Sequence, residues 1–279
     1  MDNASVEISF EFFPPQTEKG LENLDRAIDD LTVFKPDFFS VTYGAGGSTQ
    51  EKTFDVVDRI GKSGFNVAPH ISCIGATRTE MKSLLDRYLS DGIRRFVTLR
   101  GDLPSGMAQT GEFKFASDLV SFIRSEAVSD IEVMVAAYPE YHPQARSPKE
   151  DLEHFRHKVS CGANRAITQY FFNADCYFHF VEQAQLVGVD VPIIPGVMPI
   201  DKFFQLARFS DSCGAEIPRW VRRKLEAYAD DSASIQEFGL EVVTNLCHRL
   251  LNGGAPGLHF YTMNKSEKTQ AILKNLGIV

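Results

Sequence analysis

What most constrains this chain is an order that repeats along it: a short β-rich run, a segment with helical periodicity, a glycine, then another β-rich run. The β-rich runs fall at residues 6–13, 36–43, 66–73, 94–100, 131–138, 165–171, 192–197 and 257–262. Between them, Leu21, Leu24, Ile28 and Leu31 share one helical face, as do Met81, Leu84, Leu85, Tyr88 and Leu89. Ser48-x-x-Glu51, Thr77-x-x-Glu80 and Ser147-Pro148-x-Glu150 read as capping boxes, the last with proline at the first helical position. Gly64, Gly92, Gly162 and Gly188 stand where a helix ends before a strand, a place for a left-handed residue. Strand, helix, glycine, strand is a βα unit. Eight such units favour closure into a (β/α)8 TIM barrel over a doubly wound open sheet. The long gap before the last β-rich run predicts an extra helix near 218–229 and a further helix over 234–251.

No low-complexity linker or shift of composition divides the chain, so residues 1–279 read as one domain. That length is ordinary for an α/β barrel, and a hydrophobic content of 43% supplies a large core. No stretch approaches the ~20 apolar residues of a membrane span, and Met1-Asp2-Asn3-Ala4 has the look of no signal peptide. The five cysteines are scattered and form no CxxC pair, which suits a reducing cytoplasm better than a disulfide framework or clustered zinc site. A net charge of −8 disfavours nucleic acid as a partner, and the basic run Arg219 to Lys224 reads as a solvated helix face. The 22 phenylalanines suit a well-filled interior or flat surfaces for ring-shaped ligands.

Barrels of this kind carry their chemistry at the C-terminal ends of the strands. The polar residues at those ends are Glu11, Thr42, His70, Arg100, Asp102, Tyr138, Glu140, His142, Gln169, Tyr261 and Asn264. Several familiar chemistries are absent: there is no Walker loop, HExxH or GxSxG. Gly44-Ala45-Gly46-Gly47-Ser48-Thr49 places Thr49 where a dinucleotide loop needs its third glycine, and reads as a strand-to-helix turn. His154 and His157 are three apart on a predicted helix, but nothing near them in sequence completes a metal site. Arg100-Gly101-Asp102 spells an adhesion tripeptide, a poor reading at a strand end in a cytoplasmic chain. Glu11 lies between Phe10 and Phe12. Buried there, its carboxyl would be pushed toward the neutral form, as a general acid working near neutral pH requires. The other reading is an alternating strand whose acid points to solvent.

The strand-end blocks carry a resemblance. Ser9–Pro15 (SFEFFPP), Ser40–Gly44 (SVTYG), Ala68–Cys73 (APHISC), Leu99–Pro104 (LRGDLP), Ala136–Pro143 (AAYPEYHP), Gly162–Phe172 (GANRAITQYFF), Ile194–Pro199 (IPGVMP) and Leu258–Asn264 (LHFYTMN) resemble signatures of the methylenetetrahydrofolate reductases. They stand in the family's order and span nearly the whole chain. The length resembles that of the short bacterial type, a catalytic barrel alone.

The resemblance implies an enzyme of one-carbon metabolism that holds FAD in the barrel mouth, takes a hydride from NADH or NADPH, and passes it to 5,10-methylenetetrahydrofolate. It implies Glu11 as the general acid that opens the folate's five-membered ring. Asp102 becomes a fixed charge favouring the resulting cation, and Gln169 a contact to the pterin. For the flavin, the matching positions are Thr42, His70, Leu99, Arg100, Gly101, Asp102, Ala116, Tyr138, His142, Asp151, Lys158 and Ile167. His154 and His157 stand where relatives carry asparagine and arginine near the FAD diphosphate and adenosine. For the folate, Gln205, Phe209, Tyr261 and Lys265 join Glu11, Asp102 and Gln169; Lys265 stands where an arginine is expected. A homo-oligomer is implied as well. Two other readings remain: a flavin barrel of the proline-dehydrogenase kind, and a folate-binding subunit without turnover.

Overall fold

A computed structural model describes residues 6–43, 47–101, 111–126 and 130–279. Strands β1 (Glu7–Phe12), β2 (Phe38–Val41), β3 (Val67–Ser72), β4 (Arg95–Leu99), β5 (Glu132–Ala137) and β6 (Arg165–Thr168) are separated by helices α1 (Glu18–Thr32), α2 (Gly47–Lys62), α3 (Arg78–Ser90), α4 (Ala116–Glu126) and α5 (Pro148–Ser160). Helix α6 (Ala174–Leu186) leads to β7 (Ile193–Ile194) and β8 (Gly196–Val197). Helices α7 (Phe203–Cys213), α8 (Arg219–Ala227) and α9 (Ser232–Asn252) precede β9 (Gly257–Tyr261), and α10 (Glu267–Asn275) ends the order. The extra helix and the long one after it stand where the sequence puts them.

All strand pairs are parallel, in the order β7-β6-β5-β4-β3-β2-β1-β9-β8. The two ends of that order meet at Pro195, so the sheet closes into a TIM barrel. The run expected as one strand over 192–197 is therefore two. Pro195 has no N–H to extend a ladder. Its carbonyl accepts from His259 N at 3.0 Å, while Gly196 N turns to Thr168 Oγ1 at 2.9 Å. One short piece pairs with β6 and the other with β9.

Alternation sorts each strand into two faces. Ile8, Phe10 and Phe12 of β1 pack outward with helix residues such as Leu24, Leu31 and Ile60 in the main hydrophobic core. A second, smaller core lies inside the barrel: Phe38, Ala68, Val97, Met134 and Ile167, with Leu99 packed on it. Beneath it, at the N-terminal end of the barrel, charged side chains form a floor. Arg165 pairs with Glu7 and, at 2.6 Å, with Glu132, which also meets Arg95 at 2.8 Å.

Helix ends follow the sequence in most places. Thr77 and Glu80 form the reciprocal capping box at α3. Ser147 caps α5 by accepting from Glu150 N, but the Glu150 carboxylate takes Arg146 N rather than the cap residue. The third expected box is a correction. Helix α2 begins at Gly47, so Ser48 lies inside the first turn, and Glu51 instead makes a two-pronged pair with Arg87. Gly64, Gly92, Gly162 and Gly188 all have positive φ, between 82° and 116°.

Candidate active site

Glu11 sits at the C-terminal end of β1, its side chain 19% exposed. The strand end is pinned from β9: Thr262 Oγ1 donates to Glu11 O at 2.7 Å, and Asn264 both accepts from Phe13 N and donates to Phe13 O. Met263 and Asn264 take left-handed conformations (φ 54° and 55°) to bring that amide back onto β1. The aromatic neighbours of Glu11 in sequence are not its neighbours in space, because alternation turns Phe10 and Phe12 outward. Its carboxylate faces imidazoles: Oε2 lies 3.4 Å from His70 Nε2 and 3.7 Å from His259 Nε2. Neither contact has hydrogen-bond geometry, and His70 Nε2 is buried without another partner. Burial lowers the pKa of His70, with Glu11 opposing and His259 reinforcing the shift, so the ring is neutral at neutral pH. Tyr261 completes the wall. Its hydroxyl donates to Thr168 O at 2.7 Å, and burial, then the Glu11 charge, hold its pKa well above the ordinary value.

Around the mouth from Glu11 lie the other strand-end residues. Thr42 follows β2, its N–H bonded to Phe12 O. Leu99 ends β4. Arg100 and Gly101 turn back against β3, Ser72 Oγ donating to Arg100 O at 2.9 Å. Gly101 has φ 88°, and a Cβ there would lie 2.0 Å from Ser72 Oγ, so only glycine fits. The Arg100 guanidinium donates to Gly101 O and, at 2.6 Å, to Gln144 Oε1. Asp102 lies outside the described residues.

The loop after β5 is held by the first turn of α5: Asp151 Oδ2 accepts from His142 N at 2.9 Å. Gln144 N donates to His142 Nδ1 at 3.1 Å, which places the proton of a neutral His142 on Nε2. The rings of Tyr138 and His142 meet edge to face at 4.5 Å. Lys158, on α5, reaches Ala136 O at 2.5 Å, and burial pulls its pKa down to about 8 against the opposing Asp151 charge. Among the described residues no carboxylate is within ion-pair distance of Arg100 or Lys158. His154 and His157 are exposed on the same helix. His154 stacks on the exposed Phe115, centroids 6.4 Å apart and planes 29° off parallel, and His157 Nε2 lies 3.8 Å from Cys161 Sγ. Ala116 starts α4 beside Phe115, and Ile167 is buried in the inner core.

Gln169 follows β6, and its Oε1 accepts from Tyr170 N at 2.9 Å. The four remaining folate candidates converge: Gln205 and Phe209 of α7, Tyr261 and Lys265 line one cavity. Lys265 is turned to Asp201 at 2.6 Å. His259 is the site residue that the strand-end reading omits, because it lies one layer below the rim. The signal was present nonetheless: in Leu258-His259-Phe260-Tyr261, alternation places His259 on the inward face with Tyr261.

A closed parallel barrel whose C-terminal mouth gathers an acid, two imidazoles, an amide and two cations with no carboxylate at ion-pair distance among the described residues has the make-up of a barrel enzyme. Its kind is then given by comparison. The chain belongs to the methylenetetrahydrofolate reductase family, whose sequence profile matches residues 1–277. The 5,10-methylenetetrahydrofolate reductase of Escherichia coli (strain K12) is 39% identical over 274 residues, 98% of this chain and 91% of that protein. The reductase of Buchnera aphidicola subsp. Schizaphis graminum is 37% identical over 277 residues, 99% and 94% of the two chains. Methylenetetrahydrofolate reductase (NADH) 1 of Arabidopsis thaliana is 33% identical, covering 100% of this chain and 49% of its own length. A solved structure from Clostridium thermocellum, described as binding two copies of 5-methyl-5,6,7,8-tetrahydrofolic acid, shares the fold with TM-score 0.68 at 18% identity, covering 98% of this chain and 95% of that one.

Proposed function

We propose that this protein reduces 5,10-methylenetetrahydrofolate to 5-methyltetrahydrofolate, using NADH or NADPH as reductant and FAD as bound cofactor. The observation that carries the reading is Glu11: a shielded carboxyl at the barrel mouth, in a chain 39% identical to a curated reductase.

The donor set fits a dinucleotide flavin. Arg100 and Lys158 are cations with no carboxylate at ion-pair distance among the described residues, an arrangement that suits a diphosphate. Phe115 and His154 offer flat exposed faces near the start of α4 and on α5. Thr42, His70, Tyr138 and His142 supply hydroxyls and ring nitrogens on the same rim. When bound, FAD supplies hydride transfer from the nicotinamide to the folate.

The protein's own part is positioning and proton transfer. Glu11 delivers a proton to N10 of the folate, opening the five-membered ring so that the one-carbon unit on N5 becomes a cationic hydride acceptor. Asp102 would supply negative charge to favour that cation. The Gln169 amide holds the pterin. Phe209 and Tyr261 close the cavity where the folate lies, with Gln205 and Lys265 at its edge.

The test separates the two halves of the reaction. In anaerobic stopped flow, Glu11→Gln should leave flavin bleaching by NADH within about threefold of wild type while slowing reoxidation by methylenetetrahydrofolate by about 10²-fold or more. Equal loss in both halves removes Glu11 from the acid role. Flavin bands that bleach with NADH but ignore the folate, with proline oxidised instead, would favour a different flavin barrel.

A further inference from the structure

Below Glu11 the barrel interior carries buried polar side chains beside the apolar inner core. His259 lies there with 0% exposure, one register step beneath the rim: Ser9 pairs with His259 and Glu11 with Tyr261 across β1 and β9. Its ring is held on several sides. Phe38 stacks on it at 5.8 Å and 22°, Tyr261 meets it edge-on at 5.4 Å, and Ser9 Oγ lies 2.8 Å from Nδ1. Its other nitrogen, Nε2, faces Ser40 Oγ at 3.5 Å and Glu11 Oε2 at 3.7 Å. A fully buried histidine serves no solvent-facing purpose, and a hydrophobic residue would fill the space beside Phe38 without needing Ser9 and Ser40 as partners.

We propose that His259, oriented by Ser9, is a positioning residue that fixes which oxygen of Glu11 carries the acidic proton. The inference rests on reading Glu11 as the general acid. With the Ser9 hydroxyl donating to Nδ1, the ring hydrogen lies on Nε2, between Ser40 Oγ at 3.5 Å and Glu11 Oε2 at 3.7 Å. His70 Nε2 approaches the same oxygen at 3.4 Å from β3. Two ring nitrogens lie near Oε2, and on closing to hydrogen-bond distance they make it the acceptor oxygen and leave the proton on Oε1. In the transfer, the Oε1–H bond breaks, its electron pair stays on the carboxylate, and the proton bonds to N10 of the folate. The N–H groups on Oε2 then stabilise the carboxylate that is left. The titratable groups facing Glu11 among the described residues are His70 on β3 and His259 and Tyr261 on β9, and the Tyr261 hydroxyl already gives its hydrogen to Thr168 O.

Loss of the His259 donor removes stabilisation of the ionised form, so the group titrating in the folate half-reaction should move to higher pH. The experiment is the pH profile of folate-driven flavin reoxidation, with NADH-driven bleaching as the internal reference. His259→Phe should lower the folate rate about tenfold relative to bleaching and shift the profile up by about one pH unit. His259→Gln, which keeps an N–H near the Nε2 position, should retain the wild-type profile. Ser9→Ala, a small change that frees the tautomer, should shift in the direction of His259→Phe and decides the matter if that variant does not fold. An unmoved profile in Ser9→Ala and in any folded His259→Phe overturns the positioning role while leaving the acid role intact. A Glu11→Gln protein that still reduces the folate overturns the reading beneath it.

Discussion

At the scale of single residues, Gly196 is a constraint in the mouth that is set by a neighbouring backbone. A Cβ there would lie 2.2 Å from Thr168 O and 2.6 Å from Tyr261 Cε2, the two groups joined by the Tyr261 hydroxyl bond. Gly196→Ala must therefore push Tyr261 off Thr168, and should destabilise the protein by about 1–3 kcal/mol in urea unfolding. It should also weaken folate binding, since Tyr261 lines the cavity with Phe209. An unchanged unfolding midpoint would mean that the seam relaxes around the extra methyl. Residue chemistry was legible in the sequence where strand ends expose it: Glu11, His70, Arg100, Tyr138 and Gln169 all lie on one rim. His259 was less legible because nothing local marks which layer of a barrel a residue occupies; register between β1 and β9 decides that.

Elements are decided by caps as much as by apolar stripes. Thr77 at α3 takes part in two reciprocal bonds with Glu80, whereas Ser147 at α5 takes only one from the backbone and leaves Glu150 bound to Arg146. Thr77→Ala should cost about 1–2 kcal/mol and Ser147→Ala about 0.5–1 kcal/mol, read as shifts in the urea midpoint. The reverse order would mean that the Glu80 partnership adds little. The same comparison explains what the sequence conveyed at this scale. A Ser/Thr-x-x-Glu pattern names a helix start only when the backbone leaves the helix at its first residue. At Ser48 the helix has already begun at Gly47, and the glutamate was free to take Arg87 on α3. The split between β7 and β8 was likewise hidden: an apolar run with proline at 195 reads as one strand, and only closure of the ring requires it to serve two neighbours.

For the molecule as a whole, the placement of Lys158 would couple the proposed FAD binding to pH. Its folded pKa of about 8 lies below the unfolded value of about 10.4. Between those values the unfolded chain binds more protons, so the stability of the ligand-free protein should rise with pH across that window. A diphosphate favours the ammonium, so FAD affinity should be full below pH 8 and fall by up to about tenfold per pH unit above it. Fluorescence titrations of FAD between about pH 7 and about pH 9.5 measure this. Lys158→Met should bind less tightly and lose the slope, and a slope that survives would assign it to another group. The closure at Pro195 has its own consequence over time. β7 and β8 each offer two paired residues, against five between β1 and β9, so opening there should require less free energy than global unfolding. The amides of His259 and Ala166, bonded to Pro195 and Pro192, should therefore lose protection in hydrogen exchange before those at the centre of β1. A barrel is said to have no edges; each time this seam parts it acquires two, on β6 and β9, and those are the strands through which a crowded solution of the protein would begin to aggregate.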